Sequence, residues 1–321
     1  MPNWLGDALL ARPLLHALRR AHPRAELRAV GPASLLGLLS ADPVCDAWDA
    51  WPAPRERGAL AARLRAWRPD LALVLPPSFS SAVFAWHTGA RVRIGYAHEG
   101  RSLLLTRALP RPARGERHLS DEYLELGRVA GAAPREAPAL PVREAAREEA
   151  RALLQARGAA GAPLAILGPG AIYGPAKRWS AERFAALARS LAREGWRVLV
   201  CGAASDRPVC ADVAARAGEG VPSLAGETGI ELQAALCASA SLAVCNDSGL
   251  AHLAAAVGAP TVAIFGSTSS AWTAPLGARV RVVQRAPVCS PCFQRTCAIG
   301  YRCLDAISVA DVERACREVA A

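Results

Sequence analysis

Lysine is almost absent from this chain. The sequence holds 38 lysine and arginine residues among 321, and only one of them, Lys177, is a lysine. Arginine therefore fills nearly every cationic position, so the single lysine suggests a place that needs a compact ammonium on a flexible stem. Lys177 also follows a turn rich in glycine and proline, where a point charge suits a phosphate. The alternative is a surface lysine without a function.

Other absences narrow the class of protein. No run of about 18 apolar residues occurs, so we expect no transmembrane helix. Residues 1–7 lack a basic segment followed by an apolar one, so we expect no signal peptide and a cytoplasmic protein. The G-x-G-x-x-G fingerprint and the Walker A loop are both missing, which disfavours an NAD-dependent oxidoreductase and a P-loop enzyme. Ten cysteines in a chain of this length do not indicate a secreted disulfide scaffold.

Apolar strand patterns alternate with helical patterns along the whole chain, which predicts an α/β fold with parallel sheets and helices on both faces. In the first half we predict strands at 26–30, 45–48, 71–75 and 91–94 and helices at 8–21, 33–39, 55–67, 81–88 and 116–129. In the second half we predict strands at 164–167, 197–201, 222–224, 242–245, 261–265 and 279–283 and helices at 143–157, 181–193, 208–217, 230–238, 250–257 and from 308 onward.

A glycine- and proline-rich stretch at 131–142 separates the two halves. We therefore expect an amino-terminal Rossmann-like domain (1–142), a linker helix (143–162) and a carboxy-terminal Rossmann-like domain with a final helix (163–321). Ligands of such sheets bind at the carboxyl ends of the strands, and with two sheets we expect the site in a cleft between them.

Loops after the predicted strands of the second half contain candidate binding residues. The lysine loop, residues 168–180, includes Gly170 and Lys177. Asp206 follows the next strand and suits either a ribose hydroxyl or a helix cap. After strand 242–245, Asp247 is either a ligand contact or an N-cap, and Ser248 and Gly249 begin a helix whose first N–H groups could bind an anion.

The positive charge is concentrated between Arg91 and His118. This stretch holds seven arginines against two glutamates, within a chain of net charge +10. It has few aromatic residues and no zinc-finger spacing, which favours a bulky anionic ligand or a membrane surface over nucleic acid. The alternative is a solvated basic face.

Four cysteines lie close together near the carboxy terminus: Cys289, Cys292, Cys297 and Cys303. Only the first pair has the spacing of metal ligands, so the cluster is a weak candidate for a structural metal site. Reduced thiols that pack a compact loop are the alternative.

Several of these motifs together resemble the bacterial heptosyltransferases, glycosyltransferase family 9. The resemblance covers nearly the whole chain and rests on six segments: 4–7 (WLGD), 117–127, which begins with RHL and ends with LG, 170–180, which contains GPAKRW, 247–252 (DSGLAH), 266–268 (GST) and 273–275 (TAP). The cysteine stretch 289–297 is similar to the heptosyltransferase II branch of that family.

The resemblance implies a GT-B fold, in which two Rossmann-like domains face a central cleft, and inverting transfer of heptose from ADP-heptose to the lipopolysaccharide inner core. It implies that Asp7, in the loop with Gly6, is the general base and that Lys177 binds the diphosphate, with no cofactor required. The other donor-binding residues that it implies are Gly6, Gly170, Asp206, Thr228, Asp247, Ser248, Gly249 and His252.

It further implies an acceptor of the Kdo2-lipid A type, whose anionic groups suit Arg91, Arg93 and Arg101. The enzyme would then work at the cytoplasmic surface of the inner membrane as a peripheral protein. Asp7 also has a simple structural interpretation, as the N-cap of the first helix.

The start of the chain departs from the family, because only five residues precede Gly6 where the family has a full strand. We expect either a truncated start or a first sheet without its central strand. Two other functions stay open. One is a GT-B transferase with a different nucleotide sugar or acceptor, and the other is a non-catalytic binder of anionic glycolipid.

Overall fold

A computed structural model describes residues 1–157 and 161–320 of the chain. Contacts within the chain divide it into two compact units, Met1–Pro138 and Ala139–Ala321. Every strand pair in both units is parallel. No helix of the described residues is long and apolar enough to cross a bilayer.

The first unit contains two small sheets. One pairs β1 with β2, and the other has the order β3-β4-β5. The strands are β1 Arg28–Gly31, β2 Ala47–Ala50, β3 Leu71–Val74, β4 Val92–Tyr96 and β5 Arg107–Leu109; the helices are α1 Leu5–Leu10, α2 Arg12–Ala21, α3 Ala33–Leu39, α4 Arg57–Trp67, α5 Phe79–His87 and α6 Leu119–Val129. Residues 1–4 form no strand, and the Met1 amino group donates to the Val30 carbonyl.

Two features of this unit differ from the expectation. The single helix expected for 8–21 is two helices that meet at Ala11, because Pro13 has no N–H and favours the first turn of a new helix. Asp7 lies in the first turn of α1, whose N-cap is Trp4, so the N-cap interpretation of Asp7 is wrong.

The second unit has one five-stranded sheet in the order β10-β9-β8-β6-β7. Its strands are β6 Leu164–Gly168, β7 Arg197–Val200, β8 Leu242–Asn246, β9 Thr261–Phe265 and β10 Val280–Gln284. Its helices are α7 Glu144–Ala156, α8 Ala181–Arg193, α9 Arg207–Ala217, α10 Ile230–Ala238, α11 Gly249–Ala256, α12 Ser270–Thr273, α13 Arg302–Asp305 and α14 Val309–Ala320. The central strands β6, β8 and β9 are buried along their whole length, as expected for a sheet covered on both faces.

Two apolar cores cover the faces of this sheet. One includes Trp179, Phe184 and residues of α14, and the other includes residues of α10 and α11. Helix α7 packs on α10 through Ala146 and Ala150, so the helix that we assigned to a linker is part of the second unit. The strand expected at 222–224 is a single bridge between Val200 and Ser223.

Candidate active site

Four loops leave the same edge of the second sheet. They follow the carboxyl ends of β6, β7, β8 and β9, which are adjacent parallel strands. The loops are 169–180, 201–206, 247–248 and 266–269. This edge is where open parallel sheets bind ligands. Its loops contain five of the predicted donor-binding residues, Gly170, Lys177, Asp206, Asp247 and Ser248.

The lysine loop is anchored at its carboxy-terminal end. The Trp179 indole is buried and donates to the Ile307 carbonyl at 2.9 Å, and its backbone N–H donates to the Asn246 side chain at 3.0 Å. The Asn246 amide in turn donates to the Pro169 carbonyl at 2.7 Å. Asn246 therefore ties both ends of the loop to β8, a role that the sequence analysis missed.

Lys177 and Asp247 form an ion pair at this edge. The distance from Lys177 Nζ to Asp247 Oδ2 is 2.5 Å, and the Thr268 hydroxyl donates to the same oxygen at 2.5 Å. The N-cap of α11 is Ser248, so the N-cap interpretation of Asp247 is wrong. The carboxylate instead holds the single lysine of the chain, whose ammonium lies 4.9 Å from the Tyr173 ring centre.

The amino terminus of α11 begins next to this ion pair. Ser248 makes no side-chain cap hydrogen bond, and Gly249 starts the helix. The first N–H groups of a helix have no intrahelical acceptor and carry partial positive charge, which suits an anion. His252 lies in the first turn of α11 and is buried.

Asp206 occupies a confined position beside Gly170. Its carboxylate accepts the Ala203 N–H at 3.1 Å and so closes the 204–206 turn. Asp206 is also the N-cap residue of α9, but its side chain makes no cap hydrogen bond to that helix, so the helix-cap interpretation is not supported. A Cβ at Gly170 would lie 2.2 Å from Asp206 Cγ, so this position needs a glycine. Among the described residues, Asp206 Oδ1 and the Thr228 hydroxyl are buried without a hydrogen-bond partner. Both atoms could therefore bind a polar ligand.

Asp7 and Gly6 lie in the first unit, on α1. Gly6 is buried and Asp7 is half-buried. Burial raises the pKa of the Tyr123 hydroxyl well above 10, and the negative charges of Asp7 and Glu122 raise it further, while Arg111 acts in the opposite direction. Asp7, Tyr123 and Arg111 are thus close enough to interact.

The candidate acceptor-side arginines differ in their surroundings. Arg101 is wholly buried and donates to the carbonyls of Tyr96 at 2.7 Å and Pro76, so its prediction as an acceptor-binding cation is wrong. Arg93 is half-buried and donates to the Leu104 carbonyl at 2.7 Å, which makes it largely structural. Arg91 is exposed and lies 3.7 Å from Asp70. A count of charges along the sequence cannot distinguish a buried guanidinium from an exposed one.

The four cysteines near the carboxy terminus differ in their exposure. Cys289 and Cys292 are exposed, Cys297 is half-buried and accepts the Tyr301 N–H at 3.3 Å, and Cys303 is buried. Within the described ranges 1–157 and 161–320, no three Cys, His, Asp or Glu side chains are placed to hold a metal ion. The weak metal-site candidate is therefore not assembled.

The sequence model for glycosyltransferase family 9 (heptosyltransferase) matches residues 57–301. The chain belongs to this family. It is 33% identical over 302 residues to lipopolysaccharide heptosyltransferase 2 of Salmonella typhimurium. This alignment covers 88% of the present chain and 86% of the relative. It is 34% identical over 303 residues to lipopolysaccharide heptosyltransferase 2 of Escherichia coli K12, with the same coverage.

Family 9 membership makes the chain a glycosyltransferase. The solved structure of E. coli ADP-heptose lipopolysaccharide heptosyltransferase II matches 99% of this chain and 96% of its own length, with a TM-score of 0.83 and 29% identity. The predicted fold class, GT-B with parallel α/β sheets, is thereby confirmed.

Proposed function

We propose that this glycosyltransferase moves heptose from ADP-heptose onto the lipopolysaccharide inner core with inversion, as a heptosyltransferase II. The observation that supports this best is the buried arrangement of Lys177, Asp247 and Thr268 beside the start of α11. It presents an ammonium and the first backbone N–H groups of a helix at the edge where parallel sheets bind ligands, and both suit a diphosphate. The relatives named above are heptosyltransferases 2, and the solved relative is named for ADP-heptose.

The second unit is proposed to stabilise the leaving ADP. Glycosyl transfer builds negative charge on the departing diphosphate, and fixed cations lower the barrier most where that charge develops. One Lys177 N–H engages Asp247, and the ammonium has two more to donate. We assign the diphosphate to Lys177, Ser248 and Gly249, the nucleoside to Asp206 and Thr228 beside Gly170, and the heptose to Asp247 and His252.

The first unit is proposed to supply the base. An inverting transfer needs a group that accepts the proton of the acceptor hydroxyl as the new bond forms. Asp7 is a half-buried carboxylate held by the first turn of α1. We assign it this role, with the buried Gly6 giving the turn its close packing.

The acceptor is proposed to be an anionic glycolipid of the Kdo2-lipid A type. Four arginines of the 91–118 stretch besides Arg91 are exposed: Arg107, Arg111, Arg114 and Arg117. They replace the buried Arg101 as the cations that carboxylates and phosphates of an inner core would meet. Leu103, in the same stretch, is 95% exposed. An exposed apolar side chain among cations suits peripheral binding at the cytoplasmic face of an anionic membrane.

No cofactor or metal ion is assigned a role in this proposal, because Lys177 and the start of α11 provide positive charge for the diphosphate. The direct test measures ADP release with ADP-heptose and heptosyl-Kdo2-lipid A, with and without EDTA. We expect turnover that EDTA leaves unchanged and that Lys177→Ala abolishes. Release only with another sugar nucleotide or acceptor would contradict the assigned substrates, and glycolipid binding without any turnover would contradict the enzymatic proposal.

A further inference from the structure

The lysine loop meets a second segment that the transfer reaction does not explain. This is the cysteine segment, Cys289–Cys303, which contains the four closely spaced thiols and the stretch 289–297. It contacts the middle of the lysine loop, the part that the anchors at Asn246 and Trp179 do not hold. The contacts are concentrated at Tyr173, Gly174 and Ala176.

Tyr173 is held by the cysteine segment at both ends. Its hydroxyl donates to the Phe293 carbonyl at 2.5 Å, and its own carbonyl accepts from Arg295 Nε at 2.7 Å. The Arg295 guanidinium lies 5.7 Å from the centre of the Tyr173 ring, and the Lys177 ammonium lies 4.9 Å from that same centre. Two cations therefore share one electron-rich ring.

The backbones of the two segments also touch. Ala176 N–H donates to the Arg295 carbonyl at 3.1 Å. A Cβ at Gly174 would lie 2.4 Å from that carbonyl oxygen, and Gly174 has a φ of +152°, so only glycine fits here without a shift. The Arg295 backbone is therefore hydrogen-bonded to Ala176, the residue that directly precedes Lys177.

Residues that follow β9 contact both the lysine loop and the cysteine segment, and the three together form one junction. Ser267 N–H donates to the Ala176 carbonyl at 3.2 Å, and the Ser267 carbonyl accepts the Phe293 N–H at 2.8 Å. The Ser290 hydroxyl donates to the Gly266 carbonyl at 3.1 Å. The next residue, Thr268, holds Asp247, so one junction fixes both members of the lysine–aspartate pair.

We propose that Arg295, acting with Tyr173, is a positioning residue that holds Lys177 in its donor-binding place. The proposal rests on the proposed function for its substrate. Arg295 itself is exposed, so its replacement leaves the apolar core intact. A residue that only stabilised the fold would change the unfolding temperature, whereas a positioning residue changes the affinity for the donor and the mobility of the lysine loop.

The experiment compares Arg295→Ala, Arg295→Lys and Tyr173→Phe with Arg302→Ala. Arg302 is an exposed arginine of the same segment, and its side chain forms no ion pair or hydrogen bond within the described residues. Steady-state transfer gives kcat and the KM values for ADP-heptose and acceptor. Amide hydrogen exchange over residues 174–178 of the free protein reports the lysine loop without any substrate.

For Arg295→Ala we expect a roughly tenfold higher KM for ADP-heptose, an unchanged acceptor KM and faster exchange at 176–178. Arg295→Lys should recover part of both effects, and Arg302→Ala should match the wild type. Because the Tyr173 hydroxyl and the Arg295 side chain both tie residue 173 of the lysine loop to the cysteine segment, the double variant should lose less than the sum of the single losses. Unchanged donor KM and exchange in Arg295→Ala, or strictly additive losses, would overturn the proposal.

The two proposals fail in different ways. A wild-type protein that does not turn over ADP-heptose contradicts the proposed function, while faster loop exchange in Arg295→Ala would still support the positioning role. Conversely, if the wild-type enzyme is active but Arg295→Ala changes neither the hydrogen exchange of the lysine loop nor the KM for ADP-heptose, the proposed function stands and the positioning role is contradicted.

Discussion

Lys177 Nζ and Asp247 Oδ2 lie 2.5 Å apart at the edge of the second sheet, between loops that follow two adjacent strands. Asp247 is almost fully buried, and the Lys177 side chain is 14% exposed. A buried charge needs a partner, so each group fixes the other. The pair turns a flexible lysine into a cation with a defined position.

Lys177→Arg tests whether that position requires an ammonium. A guanidinium is planar and larger, so it cannot keep the contact with Asp247 and leave the remaining N–H groups in place. We expect kcat/KM for ADP-heptose to fall by roughly tenfold or more, which corresponds to about 1.4 kcal/mol of transition-state stabilisation. Steady-state kinetics measure the change.

The exchange of Arg193 for Lys on the surface of α8 is the matched control and should leave the kinetics unchanged. A fully active Lys177→Arg enzyme would mean that the single lysine is a coincidence of composition.

Thr268→Val tests whether the hydrogen bond from the Thr268 hydroxyl holds the Asp247 carboxylate in position. Valine keeps the shape but removes the hydrogen bond, and a hydrogen bond to a charged group contributes about 1.5–3 kcal/mol. We expect the KM for ADP-heptose to rise on the order of tenfold, while Thr268→Ser stays near the wild-type value. Kinetics with both substrates varied will separate the donor from the acceptor. An equal loss in the serine variant would point to packing by the Thr268 methyl group instead.

The sequence predicts which residues belong to the second-unit part of this site, but it predicts few of the contacts among them. Lys177, Asp247, Ser248 and Gly249 follow from a lone lysine and from polar residues after apolar strands. Their pairing joins loops far apart in the sequence, and no local pattern encodes it. Thr268 and Arg295 look like ordinary loop residues until the fold brings them to Asp247 and Tyr173.

The fold, too, is predicted well in its long elements and poorly in its short ones. Long apolar strands and amphipathic helices are predicted within a residue or two, and 33–39, 181–193, 230–238 and 261–265 have the predicted bounds. Short elements were missed because they bury too little for a pattern: β5 has three mostly exposed residues, and α12 and α13 have four residues each. Arg101 was misjudged because its burial depends on the folded chain, in which its guanidinium reaches the carbonyl of Pro76, 25 residues earlier in the sequence.

Asp7→Asn tests the proposed base. The amide keeps the size of the side chain but cannot accept the proton, and a general base typically contributes roughly 10²- to 10⁴-fold to the rate. We expect kcat to fall by that order while the affinity for ADP, whose proposed contacts all lie in the second unit, stays unchanged. Calorimetry with ADP and single-turnover kinetics provide the two measurements.

Asp121→Asn, at an exposed position of α6, is the control and should retain full activity. A near-wild-type rate for Asp7→Asn would leave Asp7 a structural residue of the first turn.

Gly170→Ala tests the close contact with Asp206. The new methyl group would collide with a buried carboxylate that also caps the 204–206 turn. Overpacking of this kind costs about 1–3 kcal/mol, and we expect a lower unfolding temperature and weaker ADP binding. Gly58→Ala, where nothing lies within 4 Å of the added Cβ, is the matched control and should not destabilise the protein. Unchanged ADP binding in Gly170→Ala would argue against Asp206 as a nucleoside contact.

The buried Asp42 should make the first unit sensitive to acid. Burial alone would raise the pKa of Asp42, but the hydrogen bond from His16 and the charge and hydrogen bonds of Arg12 outweigh it, so the pKa lies below the ordinary value of 3.8. A carboxyl whose pKa is lowered by folding stabilises the protein above its unfolded pKa. That stabilisation disappears as the pH falls through the lower, folded pKa.

Asp42→Asn should therefore destabilise the first unit by about 3–5 kcal/mol at pH 7, because it leaves the buried Arg12 without a counter-charge. The difference from wild type should be constant down to about pH 4 and shrink below it, as the wild-type carboxyl takes up its proton. Hydrogen exchange over α2, measured from pH 7 to 3 and corrected for intrinsic rates, follows this unit directly. A difference that stays constant to pH 3 would show that the Asp42 carboxyl does not titrate in that range, and a variant as stable as wild type at pH 7 would show that Arg12 needs no partner.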